Sequence, residues 1–460
     1  MGTCLGLALA SMILVGSLTV GDSVRATLRK NASDRIGLIT HVFLSEESYF
    51  HEDLGNRLKI IKSLEENTEI APVLISSGNL TSPDGKVRAS GITVLGVDDR
   101  FFKFARSSAS VPDLSKQGLW ASPDLALELS TEIGSRLVLR VEEPSLFSRD
   151  APLSGESDSR FIAWNQPYFG EIKSSTLGNF SLRATMEPIR TIFMPLSMLQ
   201  EAMFATFSPR DGRTDFSNLL LVQTSAPKDA LLRGIKECWT LADGGLEIKK
   251  LRASNQWSLR TRNVFFSDRI AEAARQINPD LKGEFTYLVN AIRKNQESGD
   301  SSLIPYSMVT GVESSDESFI GEGWDDKKIT INQWVADDLN LTLGDEIALE
   351  YFVVGKQRKL IEKSRSFGVA KIISMTEKIP VGEESDWTPR FPGLSDAENC
   401  GEWDTGIPIK HEIRPKDEAY WDDYRGTPKA FVSLQSAQEM WGNRWGNPVS
   451  YTHLRPTRPY

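Results

Sequence analysis

Two stretches of the chain resemble each other: LWASPDLALELSTEIGSRLVL at residues 119–139 and ITINQWVADDLNLTLGDEIAL at residues 329–349. In each, apolar residues first recur at helical spacing, a glycine follows, and apolar and polar residues then alternate. This order predicts a short helix starting at Pro123 or Asn332, followed by a half-buried strand. Between them, Gly134 and Gly344 suit a turn that requires a positive φ.

Three shorter similarities occur in the same order on either side of this one. The matching positions are Tyr49-Phe50 with Phe265-Phe266, Val94–Val97 with Val309–Val312, and Phe193, Leu196, Gln200 and Glu201 with Phe431, Leu434, Gln438 and Glu439. Each match is weak by itself, but their shared order and slowly drifting offsets predict an internal repeat.

The repeated unit is predicted to be mixed α+β, with one copy at residues 22–225 and a second at 226–447. Near the end of each copy, a strand (Thr191–Met194 or Lys429–Val432) should lead into a helix that begins at Ser197 or Ser433. The joining region, Asn218–Lys250, is predicted to hold a buried strand at residues 219–222 and a helix at 229–239.

Residues 1–21 are predicted to form a transmembrane helix, because no charged residue occurs between Gly2 and Val20. Some nineteen residues at ~1.5 Å each nearly span a hydrocarbon core of ~30 Å. A secretory signal peptide and a buried soluble helix are the alternatives. The basic residues follow this segment, from Arg25 to Arg35, so the charge rule read literally would leave the large domain in the cytoplasm.

Composition excludes several classes of function. The net charge of −9 argues against nucleic acid as a partner, because phosphate binding needs a basic surface. The four histidines (His41, His51, His411 and His453) lack metal-ligand spacing, and the three cysteines form no disulfide framework, although Cys238 and Cys400 could pair. Residues 78–86 lack the spacing of a phosphate-binding loop and are predicted to form a hairpin turn at Pro83-Asp84-Gly85. We nominate no catalytic, cofactor-binding or metal-binding residue.

The segment from Glu383 to Trp445 is rich in acids and contains five tryptophans: Trp387, Trp403, Trp421, Trp441 and Trp445. One interpretation is a sugar-binding cleft, in which an acid such as Glu398 or Asp417 meets a partner carboxylate across a groove lined by tryptophans. The other is a surface loop with solvated acids, held by tryptophans packed against their own domain. We favour the second, and expect Trp421 and Tyr424 to share one helical face.

The same segment carries a family resemblance. Phe391–Asn399 with Trp403-Asp404, and Asp417–Trp421 running into Tyr424–Val432, resemble stretches of long FtsX-like ABC transporter permeases. Gly21–Arg25 directly follows an apolar helix, and it is similar to the sequence with which such permeases leave their first membrane span. The repeated blocks resemble the MacB-like periplasmic core domain.

The resemblance implies a permease subunit of the inner membrane, with most of this chain in the periplasm and no enzyme activity of its own. Its implied partners are a cytoplasmic ABC ATPase subunit, an envelope substrate (lipoprotein, lipid, peptide or drug), the lipid bilayer and a second permease. The fold class expected is therefore one transmembrane helix followed by a duplicated mixed α+β extracytoplasmic domain. The other hypotheses are an extracytoplasmic carbohydrate-binding or glycosidase-like protein using residues 383–445, and a signal-anchored sensor or adhesion module.

The end of the chain differs in character from the rest. Val449–Arg455 resembles translated adapter sequence, and Pro456–Tyr460 resembles another frame of it. Residues 448–460 are therefore interpreted as a non-native tail, with the later membrane helices of the family missing beyond it.

Overall fold

The structure is a computed structural model, and the residues that it describes fall into two compact units. These residues are 2–45, 48–61, 67–82, 85, 87–107, 111–142, 161–183, 187–204, 214–251, 257–261, 268–295, 303–313, 321, 324–355, 359–375, 378–379, 385–388, 394, 397, 399–403, 409–441 and 453–456. The first unit comprises Met1–Pro144 and Ser159–Gly244, and the second holds the chain from Gly245 to Tyr460.

The first unit contains helices α1–α5 and strands β1–β10. The helices are α1 (Gly2–Ile36), α2 (Leu54–Ile60), α3 (Pro123–Leu129), α4 (Leu196–Phe204) and α5 (Lys228–Cys238). The strands are β1 (His41–Leu44), β2 (Phe50–His51), β3 (Glu69–Thr81), β4 (Arg88–Val97), β5 (Leu119–Ala121), β6 (Arg136–Glu142), β7 (Phe161–Glu171), β8 (Thr191–Pro195), β9 (Phe216–Ser217) and β10 (Leu219–Gln223).

The second unit contains helices α6–α9 and strands β11–β19. The helices are α6 (Asp268–Ile277), α7 (Gln333–Leu339), α8 (Pro415–Tyr424) and α9 (Leu434–Trp441). The strands are β11 (Leu246–Lys250), β12 (Trp257–Thr261), β13 (Leu281–Lys294), β14 (Leu303–Val312), β15 (Lys328–Asn332), β16 (Glu346–Val354), β17 (Leu360–Ile373), β18 (Ala430–Ser433) and β19 (His453–Pro456).

Each unit is built on a closed six-stranded barrel, and the two barrels have the same topology. The strand order is β3-β4-β8-β5-β7-β6 in the first, closed by β3 with β6. It is β13-β14-β18-β15-β17-β16 in the second, closed by β13 with β16. In both, the second and third strands of this order are parallel, as are the fourth and fifth, and the other pairs are antiparallel. The mixed α+β fold and its duplication are thus confirmed.

The register of the strands matches the predicted repeat at single residues. Phe193 lies opposite Leu95 and Trp120, whereas Phe431 lies opposite Thr310 and Thr330 at the corresponding positions. Gly134 and Gly344 have φ values of 94° and 93°. Their amides donate to Tyr168 and Val369 at 2.7 and 2.8 Å, so both turns are held by the same bond.

Local predictions within the repeat also hold. Helix α3 begins at Pro123, and α7 begins after Asn332, whose side chain accepts a bond from the Val335 amide. Along β6 the apolar residues at alternate positions are buried, as expected for a half-buried strand. The turn predicted at Pro83-Asp84-Gly85 lies mostly outside the described residues, and the strands on either side of it, β3 and β4, pair antiparallel.

The joining region up to Gly244 belongs to the first unit, and its last strand, β11, to the second. β10 pairs antiparallel with both β1 and β3, which extends the first barrel's sheet beyond the closed ring. Asp243 is fully buried, and it accepts bonds from Arg57 at 2.8 and 2.9 Å and from Thr240 Oγ1 at 2.6 Å. Burial alone would raise the pKa of Asp243, but these bonds outweigh it and lower the pKa. This pairing ties the chain after α5 to α2, so α5 lies in the first unit, although the sequence placed it in the second.

The N-terminal segment is helical well beyond the predicted transmembrane span. Helix α1 contains 35 residues, about 52 Å of helix at ~1.5 Å per residue. Among the residues that the structure describes, no helix has both the length and the apolar character needed to cross a membrane. Most of the tail interpreted as non-native lies outside the described residues. Its residues 453–456 form β19, which pairs with β12 and β13.

Candidate functional site

A small cavity in the second unit combines aromatic walls with buried charge. Its volume is about 30 Å³, and it lies between β13 and β14 on one side and residues 394–429 on the other. Residues 374–429 connect β17 to β18. The corresponding connection in the first unit, residues 172–190, is much shorter, and its described part contains a 3-10 helix, Ser174–Thr176. The cavity is therefore formed by an addition to the repeated unit.

Helix α8 forms the cavity wall on the side of this connection. Pro415 occupies its first turn, and Asp417 accepts a bond from the backbone amide of Arg414 as part of a capping box. The helix ends at Arg425, which has a φ of 49°. Tyr420 and Trp421 lie on its buried face.

Buried ion pairs hold α8 against the barrel. Arg414 donates to both carboxylate oxygens of Asp417, at 2.6 and 2.8 Å, and contacts Asp338 at 2.9 Å. The Lys429 ammonium lies 3.5 Å from Asp417. Both side chains of this last pair are about 5% exposed. The expectation that the acids of this segment are solvated is therefore wrong for Asp417, because the fold of α8 turns it inward.

Lys429 precedes β18, and its ammonium lies among aromatic rings. Nζ is 4.3 Å from the ring centroid of Trp334 and 4.6 Å from that of Tyr420. Burial lowers the pKa of Lys429 to about 8, although Asp417 opposes the shift. The backbone of Lys429 donates to Met308 and accepts from Asn332, at 2.9 and 3.1 Å.

Two neighbouring groups are kept neutral by burial. The Tyr420 hydroxyl donates to the Thr427 carbonyl and accepts from Asn332 Nδ2, both at 3.1 Å, and burial raises its pKa well above the usual value. Burial and the nearby Glu418 raise the pKa of the Cys400 thiol in the same way. A thiol with a raised pKa is a poor nucleophile, so Cys400 is not a candidate for nucleophilic catalysis.

Two indole groups in the wall have no acceptor among the residues that the structure describes. Trp403 and Trp421 pack with ring centroids 5.1 Å apart, and both line the cavity. The Nε1 atoms of both are buried without a hydrogen-bond partner. Nearby, the Tyr306 hydroxyl oxygen accepts bonds from the backbone amides of Lys410 and His411. This leaves the Tyr306 hydroxyl hydrogen to donate.

The tryptophans largely behave as structural anchors. Trp421 and Trp441 are 5% and 2% exposed, and half-buried Trp387 packs on Phe431 at 5.4 Å. Trp421 and Tyr424 both lie on α8, as expected, but their rings have different partners: Tyr424 packs on Tyr420 and Trp421 on Trp403, each with ring centroids 5.1 Å apart. Inward-facing rings do not offer a stacking platform to a sugar. Trp445 and Glu398, together with most of Phe391–Asn399, lie outside the described residues.

Other candidate chemistry is limited among the residues that the structure describes. They contain no cluster of three or more His, Cys, Asp or Glu side chains suited to a metal ion. Cys238 and Cys400 are free thiols, Cys400 being buried.

The base of α1 is the other feature with functional potential, and it belongs to the first unit. The Arg106 guanidinium donates to Ser33 Oγ at 2.9 Å and lies 3.4 Å from Asp34. Just past the helix, the Leu38 amide donates to the Phe104 carbonyl at 2.9 Å. The last turns of α1 are therefore bonded directly to the unit.

Comparison with protein families finds no match to this chain, and comparison with curated proteins finds none either.

Proposed function

We propose that this chain is the membrane-anchored part of an ABC transporter permease. In this proposal, its two α+β units couple ATP hydrolysis by a partner subunit to the export or release of an envelope substrate. The observation that carries it is α1, a continuous helix whose apolar side chains between Met12 and Val24 are exposed and whose second end is bonded to the first unit.

The exposed apolar side chains of α1 between Met12 and Val24 support a lipid environment. Seven large apolar side chains there are between 50% and 67% exposed: Met12, Ile13, Leu14, Val15, Leu18, Val20 and Val24. Water around so much contiguous apolar surface is unfavourable, and patches of this kind mark sites of contact with membranes or proteins. Insertion of the uncharged stretch into a bilayer would remove this cost.

The bonded end of α1 supports a coupling role. Because the helix is unbroken from Gly2 to Ile36, a displacement of its membrane end moves its last turn as well. The contacts of Arg106 with Ser33 and Asp34 would pass that displacement to the 3-10 helix at Phe101–Phe104 and the strands beside it.

The remaining parts of the proposal rest on the family resemblance. It supports a cytoplasmic ABC ATPase as partner, a periplasmic position for both units, and a dimer of permeases in the inner membrane. The chain itself lacks the sequence of a phosphate-binding loop, in keeping with a separate ATPase.

Membrane anchoring is tested by alkaline carbonate extraction of cells that express the full chain. We expect the unaltered chain to stay in the membrane pellet. A variant with Leu14→Arg and Leu18→Arg should be released, because each arginine costs about 2.5–3.5 kcal/mol at the centre of a membrane helix. Release of the unaltered chain by carbonate would overturn the anchor.

The matched control replaces two exposed apolar residues on other helices. Leu127 and Ile277 are 77% and 87% exposed, so Leu127→Arg with Ile277→Arg adds the same charge outside α1. This control should stay in the pellet. If it were released as well, added charge and not membrane insertion would explain the result. The partner is tested by affinity purification from the source membrane, in which an ABC ATPase should accompany the unaltered chain.

A further inference from the structure

Three basic side chains of α1 lie shortly after its uncharged stretch. Arg25, Arg29 and Lys30 are exposed, and they have no hydrogen bond or ion pair with another residue that the structure describes. Arg25 and Arg29 are four positions apart, so they are neighbours on one face of the helix. We call these three residues the basic surface of α1.

The acidic residues of α1 do not neutralise this surface. Asp34 lies four residues after Lys30, a spacing at which two helical side chains can pair. The Asp34 carboxylate lies instead 3.4 Å from the guanidinium of Arg106, a residue outside α1. From Asp22 to Lys30, three positive charges therefore stand against the one negative charge of Asp22.

The inference drawn here rests on the proposed membrane anchor, which fixes the depth of the basic surface. A hydrocarbon core of ~30 Å in a bilayer of ~40–45 Å leaves a headgroup layer of ~5–8 Å on each side. Arg25 lies ~7.5 Å beyond Val20 along the helix, and Lys30 lies ~15 Å beyond it, at ~1.5 Å per residue. Side chains of an α-helix lean toward its N-terminus, which here is the direction of the membrane. The three cations are thus placed within the headgroup layer and at its outer edge.

We propose that the basic surface of α1 binds anionic phospholipid headgroups, in the leaflet on the side of the first unit. Guanidinium groups bond phosphate oxygens in pairs, and a lysine adds a point charge. Each Lys or Arg close to an anionic bilayer strengthens association about fivefold. The position of the three cations, one to three turns after the exposed apolar side chains of the same helix, favours a lipid surface over an acidic protein.

The test measures which lipids contact the full chain in a bilayer. The chain is reconstituted into phosphatidylcholine vesicles that contain a trace of spin-labelled phosphatidylglycerol or of spin-labelled phosphatidylcholine. Electron paramagnetic resonance separates the lipids slowed by contact with the protein from the free lipids. Phosphatidylglycerol should be preferred about fivefold or more at low salt. The preference should fall within about twofold in 1 M sodium chloride, where the Debye length is ~3 Å.

Variants assign the preference to the basic surface. Glutamine keeps a similar helix propensity and removes the charge, so the triple variant Arg25→Gln, Arg29→Gln and Lys30→Gln should prefer phosphatidylglycerol by less than about twofold. The matched control removes the same charge from three exposed positions of α5 in the same unit: Lys228→Gln, Arg233→Gln and Lys236→Gln. This control should keep the full preference.

The outcomes separate this inference from the anchor on which it rests. Equal contact with the two lipids at low salt would overturn the inference and leave the anchor intact. A preference that survives in the α1 triple variant, or that is lost equally in the α5 control, would also overturn it. No slowed component from either lipid would overturn the anchor and the inference together.

Discussion

Lys429 shows how one side chain acquires properties that its residue type does not have in water. Its ammonium is enclosed by Trp334, Tyr420 and Asp417, with Arg414 beyond the carboxylate. Desolvation disfavours the charged form, which is why the pKa lies near 8 instead of 10.5. Asp417 limits the shift, and the cost of the buried charge depends on that one partner.

This depressed pKa predicts a stability that rises with pH. Below pH 8 the lysine is charged in both the folded and the unfolded chain. Between pH 8 and 10.5 the unfolded chain binds more protons, so folding becomes more favourable as pH increases. From pH 8 to pH 9 the gain should be about 1 kcal/mol. The raised pKa values of Cys400 and Tyr420 act in the opposite direction, chiefly near and above their unfolded values of 9.0 and 10.0.

Urea unfolding at pH 8 and pH 9 measures this dependence. Lys429→Met should lack the gain. Lys378→Met should retain it, because Lys378 is an exposed lysine paired with Asp423 and its own pKa is raised. Equal pH dependence in the two variants would show that Lys429 is not the source.

At the scale of elements, α8 has a buried face and an exposed face, and each carries an ion pair. Its inner face carries Asp417, Tyr420 and Trp421, all buried, while Asp423 pairs with Lys378 at the surface at 2.7 Å. Helix α8 therefore carries one aspartate in a buried ion pair, Asp417, and one in an exposed ion pair, Asp423.

The two pairs should contribute very differently to stability. Asp417→Asn leaves Arg414 and Lys429 without their common carboxylate, and removing one partner of a buried pair costs about 3–5 kcal/mol. Asp423→Asn removes a solvated pair, with side chains 43% and 67% exposed, and should cost less than about 1 kcal/mol. Denaturant unfolding of both variants at pH 7 provides the comparison. A similar loss in both would mean that the buried network does not anchor α8.

Across the whole molecule, the closest correspondence between the barrels is at their glycine turns. Gly134 and Gly344 share a φ near 93–94°, and a Cβ added at either would meet no atom within 4 Å. The cost of an alanine there is therefore conformational, about 1–2 kcal/mol, without a clash.

Gly134→Ala and Gly344→Ala are accordingly expected to destabilise their own units by equal amounts. Native-state amide hydrogen exchange measures both effects: the exchange rates in β6 report on the first unit, and those in β16 report on the second. Each variant should accelerate exchange only in its own barrel. Unequal costs would indicate that the two turns, although alike in geometry, differ in strain.

A second whole-molecule prediction concerns ATP. The purified full chain should neither bind nor hydrolyse ATP, because its sequence contains no phosphate-binding loop of the G-x-x-x-x-G-K-[ST] type. Nucleotide binding by equilibrium dialysis and phosphate release are the measurements. Hydrolysis that persisted after removal of contaminating ATPases would contradict the permease proposal.

The repeat and its local elements can be predicted from the amino-acid sequence. Local elements depend on neighbouring residues, so the spacing of residue types reveals them. This applies to the glycine turns, to the helix starts at Pro123 and after Asn332, and to the alternation along β6. Only the tertiary structure decided which strands meet. Closure of β3 on β6 and the entry of β10 into the first sheet join residues far apart in the chain, and local pattern carries no information about such pairing.

The same contrast between local sequence pattern and tertiary packing holds for the residues around the cavity. The sequence indicated that residues 383–445 hold anchoring aromatics, and Trp421 and Trp441 are indeed buried. It did not identify Lys429 as a site residue, and it placed Asp417 in solvent. An isolated lysine or aspartate gives no sign of burial in sequence, because burial of a charge depends on the partner that the fold brings to it. Here that partner is 3.5 Å away in space and twelve positions away in the chain, and only the packing of α8 against β18 brings the two together.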